Sequence, residues 1–155
     1  MGSIDPLSKM TEGFRYLLRV RYSECDAQKV VFNARYSEYV DLAVVEFIRA
    51  LGFGEQVISG ALDYQLVKQT LEWKAPARFD QVLAISVCAK HLGNTSFTLA
   101  CTFRIAGNPA ITATSETVYV LLDTHTLSKR PLPHDFRDAL QRGAPDLTTD
   151  HADSA

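Results

Sequence analysis

The chain has 155 residues, of which 46% are hydrophobic and 22% are charged, and its formal net charge is −2 at pH 7. This length fits one domain with a sizeable core, and the composition is that of an ordinary globular protein. The near-neutral charge argues against nucleic-acid binding, because neutralising many phosphates needs a basic surface. No stretch approaches the ~20 apolar residues that a membrane span needs, so we expect no membrane insertion.

The three cysteines, Cys25, Cys88 and Cys101, are scattered and lack paired metal-ligand spacing. They favour a reducing compartment, and we expect a cytoplasmic protein without a signal peptide. The predicted organisation has three parts, which are a flexible leader over residues 1–12, a single domain over 13–142 and a disordered tail over 143–155.

The first predicted strand covers residues 14–23. Apolar side chains, Tyr22 among them, alternate there with Arg15, Arg19 and Arg21, which gives one apolar and one largely cationic face. The pattern breaks over residues 24–33, which indicates a loop.

A long helix is predicted over residues 34–51, with Asn33 or Ser37 as its N-terminal cap and Gly52 as its C-terminal glycine. Apolar residues at spacings of three and four form one stripe on this helix: Tyr36, Val40, Val44, Phe47 and Leu51. Such a helix needs a sheet to lie on.

Four further strands supply that sheet, and they are predicted over residues 64–73, 82–91, 96–105 and 111–122. A short final helix is predicted over residues 133–142. Short turns between consecutive strands favour an antiparallel sheet. The order β-α-β-β-β-β therefore predicts an α+β protein in which the sheet wraps around one central helix. The last strands are apolar or small on both faces, so we expect the sheet to continue into a second copy.

Three segments in this order resemble the 4-hydroxybenzoyl-CoA thioesterase family of hotdog proteins, especially the short bacterial acyl-CoA thioesterases associated with the Tol-Pal system. They are Tyr22-Ser23-Glu24-Cys25-Asp26 followed by Val30-Val31-Phe32-Asn33-Ala34-Arg35-Tyr36, then Pro76-Ala77-Arg78-Phe79-Asp80, and Leu92-Gly93-Asn94-Thr95-Ser96-Phe97. The resemblance covers residues 14–140.

The resemblance implies a hotdog fold and a homodimer whose sheets join, commonly within a homotetramer, with active sites at the subunit interface. It implies an acyl-CoA substrate and neither a metal nor an organic cofactor. The family aspartate corresponds to Asp26, and the tyrosine four residues before it corresponds to Tyr22.

The chain departs from the family pattern at three places. Asn33 stands where the Tol-Pal branch usually has histidine and the 4-hydroxybenzoyl enzyme has tyrosine, Arg35 replaces a frequent asparagine, and residues 27–29 lack the usual glycine. These changes leave the substrate open.

Thioester hydrolysis needs a nucleophile and a way to stabilise the negative charge that develops on the carbonyl oxygen. Asp26 is the candidate for the first role, either attacking the thioester carbon or acting as general base on water. The helix N-terminus near Asn33 and Ala34 is the candidate for the second, through a backbone N–H. The Asn33 side chain is an alternative group to orient water or the carbonyl, and Tyr22 is a further candidate.

Simpler interpretations of these residues stay open. Without the family resemblance, Asp26 is most simply an ordinary turn residue, because Asp is common in turns. In the same way, Tyr22 is most simply a core side chain, and Asn33 is most simply a helix cap. Cys25 is a rival nucleophile, but no histidine adjoins it in sequence.

Coenzyme A carries phosphates, which basic and hydroxyl side chains hold. The candidates are Lys90, Thr95, Ser96, Lys129 and Arg130. Trp73, with Phe47 and Phe53, is a candidate for an acyl pocket, although core packing is the commoner role of such residues.

Three functions remain open from the sequence. The first is an acyl-CoA thioesterase built on Asp26. The second is a non-catalytic acyl-CoA or lipid binder on the same fold, since fold does not imply activity. The third is a thioesterase for acyl carrier protein.

Overall fold

The computed structural model describes residues 13–146 and contains a five-stranded antiparallel sheet and three α-helices. The elements in chain order are β1 (Arg15–Arg19), α1 (Tyr36–Ile48), α2 (Gly54–Ser59), β2 (Asp63–Trp73), β3 (Val82–Leu92), β4 (Ser96–Ile105), β5 (Ile111–Leu122) and α3 (His134–Arg142). The predicted order and the four long strands are confirmed. No helix within 13–146 is long and apolar enough to cross a membrane.

The strands lie in the order β1-β3-β4-β5-β2, so β1 and β2 form the two edges. Strands β3, β4 and β5 follow one another through short turns, as alternating apolar patterns separated by turn residues predict. Strand β2 pairs only with β5 among the described strands, and Leu66, Val67 and Trp73 on it are exposed. An unpaired edge carrying apolar side chains is available for further pairing.

The sheet has two ends, and the site residues divide between them. We call the end where β2 finishes at Trp73 and β3 begins at Val82 the Asp26 end, because residues 20–33 contact it. We call the opposite end, where β2 begins at Asp63 and β5 finishes at Leu122, the Arg130 end. Strands of this length separate the two ends by about 35 Å.

Helix α1 lies against the sheet through the predicted apolar stripe. Tyr36, Val40, Val44 and Phe47 on it are at most 1% exposed. A π-helical turn over Arg49–Phe53 follows α1, and Gly52 there has φ 99°, a conformation that glycine adopts without strain. Gly52 thus ends the long helix, as predicted, and lets the chain turn into α2.

Substituting Phe47 by Ala should destabilise the protein by about 3–5 kcal/mol, because it leaves a cavity in a closed core. The Phe47 side chain is fully buried, and its ring lies 5.6 Å from that of Phe14. Urea unfolding measures the loss. The control is Ile58→Ala, since Ile58 is 74% exposed; equal losses in the two variants would contradict the assigned core.

The first strand is shorter than predicted because the backbone leaves the sheet after Val20. Residues Tyr22–Glu24 form a 3₁₀ turn, and the Glu24 carboxylate accepts a hydrogen bond from the backbone N–H of Arg21. This turn takes Tyr22 out of the sheet. Tyr22 is 71% exposed, so the prediction that it continues the apolar face of the strand is wrong.

The C-terminal boundary also differs from the prediction of a disordered tail from residue 143. Ala144 is buried, and Asp146 forms an ion pair with Arg15 at 2.8 Å, so residues 143–146 pack on β1. The predicted leader over 1–12 and the rest of the predicted tail, 147–155, lie outside the described residues.

Candidate active site

Asp26 lies in a tight turn between the first strand and α1. Its backbone N–H donates to the carbonyl of Val30 at 2.9 Å, and its carbonyl accepts the N–H of Lys29 at 2.9 Å. Lys29 has φ 64° in this turn, a left-handed conformation that is uncommon for a residue other than glycine. The turn therefore has the shape that the glycine of related loops would provide.

The Asp26 carboxylate is exposed and only partly engaged. Its Oδ1 accepts the N–H of Gln28 at 2.8 Å and that of Val30 at 3.4 Å. Within residues 13–146, Oδ2 receives no hydrogen bond. One oxygen thus fixes the side chain, as expected of an Asx turn, while the other remains available to a water molecule or a carbonyl carbon.

The segment over residues 76–79 fastens this loop to the sheet. Ala77, which is fully buried, accepts the N–H of Val31 at 2.8 Å. The N–H of Phe79 donates to the carbonyl of Lys29 at 3.0 Å. These two backbone hydrogen bonds therefore fix the position of the Asp26 turn relative to the sheet.

The helix start, at Asn33, follows seven residues after Asp26 and has no side-chain cap. A 3₁₀ turn over Asn33–Arg35 precedes α1, and its N-cap residue is Phe32, which makes no capping bond. The prediction that Asn33 or Ser37 caps the helix is therefore wrong; the Ser37 hydroxyl donates instead to the carbonyl of Ala34 at 3.4 Å. The first N–H groups of such a turn have no acceptor within the helix and carry its positive dipole end.

A cavity of ≈ 260 Å³ opens beside this helix start. Asn33 and Tyr36 form one wall, and Trp73 forms another at the end of β2. Trp73 meets the Tyr36 ring edge to face at 6.1 Å. Its role in an acyl pocket stays a prediction. The other two aromatic candidates are core residues, since Phe47 is fully buried and Phe53 packs on Phe136.

Tyr22 lies near the loop but outside this cavity. Its ring meets Phe79 edge to face at 5.6 Å, so both aromatic side chains stand next to the Asp26 turn on the surface. The structure thus brings Tyr22, Asp26 and Asn33 to one end of the sheet.

Cys25 is a poor nucleophile in this setting. Its Sγ donates to the carbonyl of Arg21 at 3.6 Å. Burial, together with the neighbouring charges of Glu24 and Asp26, raises the pKa of the thiol and disfavours the thiolate that attack requires.

Glu24 is the residue of this region that sequence reasoning missed. It is 3% exposed, and its carboxylate accepts hydrogen bonds from Arg21 and from the hydroxyl of Tyr39. Burial raises the pKa of Glu24, but these hydrogen bonds outweigh it and hold the pKa below its usual value. The sequence signal was the three-residue spacing of Arg21 and Glu24, which matches a reciprocal capping arrangement.

The predicted coenzyme A contacts lie elsewhere. Thr95 accepts the N–H of Leu121 through its carbonyl, and Arg130 donates to the carbonyl of Ala61 at 3.0 Å, which places both residues at the Arg130 end. Ser96 begins β4 there, and Lys129 pairs with Leu122. Lys90 lies on the outer face of the sheet, where it forms an ion pair with Glu116. The structure does not bring these five residues to Asp26 within one chain.

Within residues 13–146, no three His, Cys, Asp or Glu side chains are grouped so that they could hold a metal ion.

Most of this chain is similar in sequence to known proteins. The acyl-CoA thioester hydrolase YbgC of Escherichia coli O6:H1 is 30% identical over 121 residues, which are 77% of this chain and 90% of that protein. The 1,4-dihydroxy-2-naphthoyl-CoA hydrolase of Synechococcus elongatus is 26% identical over 125 residues, which are 79% and 90% of the two chains.

Solved structures share the fold. The gentisyl-coenzyme A thioesterase BH1999 superposes with a TM-score of 0.71 at 27% identity, covering 81% of this chain and 98% of that one. The PA5185 protein of Pseudomonas aeruginosa superposes with a TM-score of 0.79 at 22% identity, covering 86% and 93%, a likeness that concerns the fold alone. These likenesses confirm the predicted hotdog fold.

A family model described as the thioesterase-like superfamily matches residues 20–140, which include the Asp26 turn, α1 and all four long strands. The chain therefore belongs to the thioesterase-like superfamily, which confirms the predicted resemblance to thioesterases.

Proposed function

We propose that this protein hydrolyses acyl-CoA thioesters to a free acid and coenzyme A. The observation that carries the proposal is the Asp26 carboxylate, whose Oδ2 accepts no hydrogen bond within residues 13–146. It lies two residues after Glu24, whose carbonyl accepts the N–H of Phe32 at the start of an uncapped helix. The names of the relatives, which include acyl-CoA and 1,4-dihydroxy-2-naphthoyl-CoA hydrolases, support coenzyme A as the thiol.

In the proposed reaction, the thioester carbonyl oxygen binds at the helix start, where the N–H of Asn33 stabilises its developing negative charge. Asp26 then acts in one of two ways. As general base it removes a proton from water, whose oxygen attacks the carbonyl carbon. As nucleophile it attacks that carbon itself, and water hydrolyses the resulting anhydride. In both routes the carbon–sulfur bond breaks, and the thiolate leaves without needing a strong acid.

We further propose that β2 pairs with β2 of a second copy. Twofold pairing of one edge strand is antiparallel, so it brings the Arg130 end of one chain next to the Asp26 end of the other. In such a dimer Lys129 and Arg130 of a second copy lie near the thioester substrate that binds beside Asp26. The proposal accounts for the position of these residues at the end of the sheet opposite Asp26 within one chain.

The test of the proposed function is thiol release from short-chain, long-chain and aromatic acyl-CoAs, with the matching acyl carrier protein thioesters alongside. Turnover of any acyl-CoA supports the proposal. Turnover of carrier-protein thioesters alone would replace it by a carrier-protein thioesterase. Saturable binding of acyl-CoA without turnover would replace it by a binding protein.

The dimer proposal predicts that wild-type protein has at least twice its 17.2 kDa chain mass in solution. Changing Leu66 and Val67 together to Lys should give a single-chain mass, because the two charges replace the exposed apolar side chains on the β2 edge. Size-exclusion chromatography with light scattering measures both masses. Ile58→Lys, on exposed α2, is the matched control and should leave the mass unchanged. A double variant that keeps the wild-type mass would rule out this interface.

A further inference from the structure

The carboxylate of Glu24 joins two separate segments around the proposed site. Its Oε1 accepts the backbone N–H of Arg21 at 2.8 Å and the hydroxyl of Tyr39 at 3.0 Å. Its Oε2 accepts Arg21 Nη2 at 3.0 Å. Glu24 therefore links the chain that leaves β1 to the second turn of α1, although Tyr39 lies 15 positions further on.

The backbone of the same residue holds the segment that enters the helix. The carbonyl of Glu24 accepts the N–H of Phe32 at 3.0 Å. Asp26 follows Glu24 by two residues, and Asn33 follows Phe32 directly. Glu24 thus contacts the segment that carries Asp26 and also the segment that begins the helix at Asn33.

A buried charge is costly unless it is paired and hydrogen-bonded, so its presence here needs an explanation. The carboxylate is 3% exposed and the Tyr39 side chain is fully buried, whereas the Arg21 side chain is 69% exposed. Burial and the hydrogen bond to Glu24 raise the pKa of Tyr39, so its hydroxyl stays a donor. The bond between Glu24 and Tyr39 therefore ties the loop to the helix from inside the protein.

We propose that Glu24 is a positioning residue, which sets the distance between the Asp26 carboxylate and the N-terminal N–H groups of the helix. This inference rests on the proposed hydrolysis. The reaction needs both groups at one carbonyl, and a misplacement of about 1 Å can cost roughly a hundredfold in rate.

The experiment compares Glu24→Gln and Tyr39→Phe with wild type. The amide of Gln removes the negative charge and leaves one acceptor oxygen where the carboxylate has two, so it cannot hold Arg21 and Tyr39 together as Glu24 does. Phe in place of Tyr39 removes only the hydroxyl. Both changes keep the side-chain volume. Glu38→Gln is the matched control, because Glu38 is an exposed carboxylate near the same helix start, paired with Arg35.

We expect each test variant to lower kcat roughly tenfold to a hundredfold, with KM little changed, since the substrate-binding surface is intact. The Glu38 control should keep the wild-type kcat. In an Asp26→Asn background, Glu24→Gln should lower the residual rate no further, because Glu24 acts through Asp26. Equal losses in both backgrounds, or a folded Glu24→Gln protein with wild-type kcat, would overturn the proposal.

Amide hydrogen exchange separates this inference from the proposed hydrolysis. The N–H groups of Val30 and Phe32 should exchange faster in Glu24→Gln and in Tyr39→Phe, while those of β4 keep their protection. Unchanged exchange at Val30 and Phe32 would overturn the positioning role even if wild type hydrolyses no thioester. Absence of turnover by wild type, by contrast, overturns only the proposed function.

Discussion

Replacing Asp26 by Asn should lower kcat on the preferred acyl-CoA by about 10²–10⁴-fold, the range that a general base contributes, and by more if Asp26 is the nucleophile. The amide removes the negative charge but keeps an oxygen that can accept the N–H of Gln28, which Asp26 Oδ1 accepts at 2.8 Å. The turn should therefore keep its shape. Steady-state thiol release gives kcat, and thermal unfolding confirms that the variant is folded.

The control for this substitution is Asp80→Asn, in the neighbouring turn. Asp80 is exposed and has φ 72°, a left-handed conformation that Asn also accepts. Its variant removes one surface carboxylate at the same end of the sheet without touching the Asp26 turn, so its kcat should match wild type. An Asp26→Asn protein with wild-type kcat would remove Asp26 from the mechanism.

Replacing Asn33 by Pro should lower kcat by about 10²–10³-fold, because it deletes the backbone donor that we propose for the carbonyl oxygen. The backbone can accommodate the change. Phe32 has φ −65° and ψ 132°, a conformation suited to a residue before proline, and proline is favoured at the first helical position. The loss should therefore appear in kcat, with the free energy of unfolding maintained.

Asn33→Ala separates the backbone from the side chain at this position. It removes the amide side chain, which makes no capping bond, and keeps the N–H. We expect it to retain most of the activity. If Ala lowers kcat as much as Pro does, the Asn33 side chain orients water or the carbonyl, and the helix N–H loses its assigned role.

The central part of the fold was predictable because its signal is periodic. The alternation over Ser96–Ile105 and the stripe on α1 both report which side chains face the core, and the structure has both. The alternation up to Tyr22 gave a strand that is too long. An alternating pattern indicates which way side chains point, but it does not show whether the backbone is paired in a sheet. What ends that strand is the hydrogen bond between Arg21 and Glu24, which an alternating pattern does not reveal.

The site was predictable only in part for a related reason. Asp26 stood out from its place ahead of the helix and from the family resemblance. Glu24 did not, because the role proposed for it depends on Tyr39, 15 positions away, and on burial that only packing creates. The cap predicted at Asn33 failed because residue preference at helix starts is statistical, and Phe32 takes the N-cap position here.

Lys29 takes a left-handed conformation in a loop that lacks the glycine of the family pattern. Its φ of 64° gives the turn a shape that glycine adopts freely, in a chain whose loop has no glycine. A search pattern that demands glycine there would pass over this chain, although the hydrogen bonds of the Asp26 turn are formed. Backbone conformation, rather than residue identity, is therefore the better criterion for deciding which distant sequences share this loop.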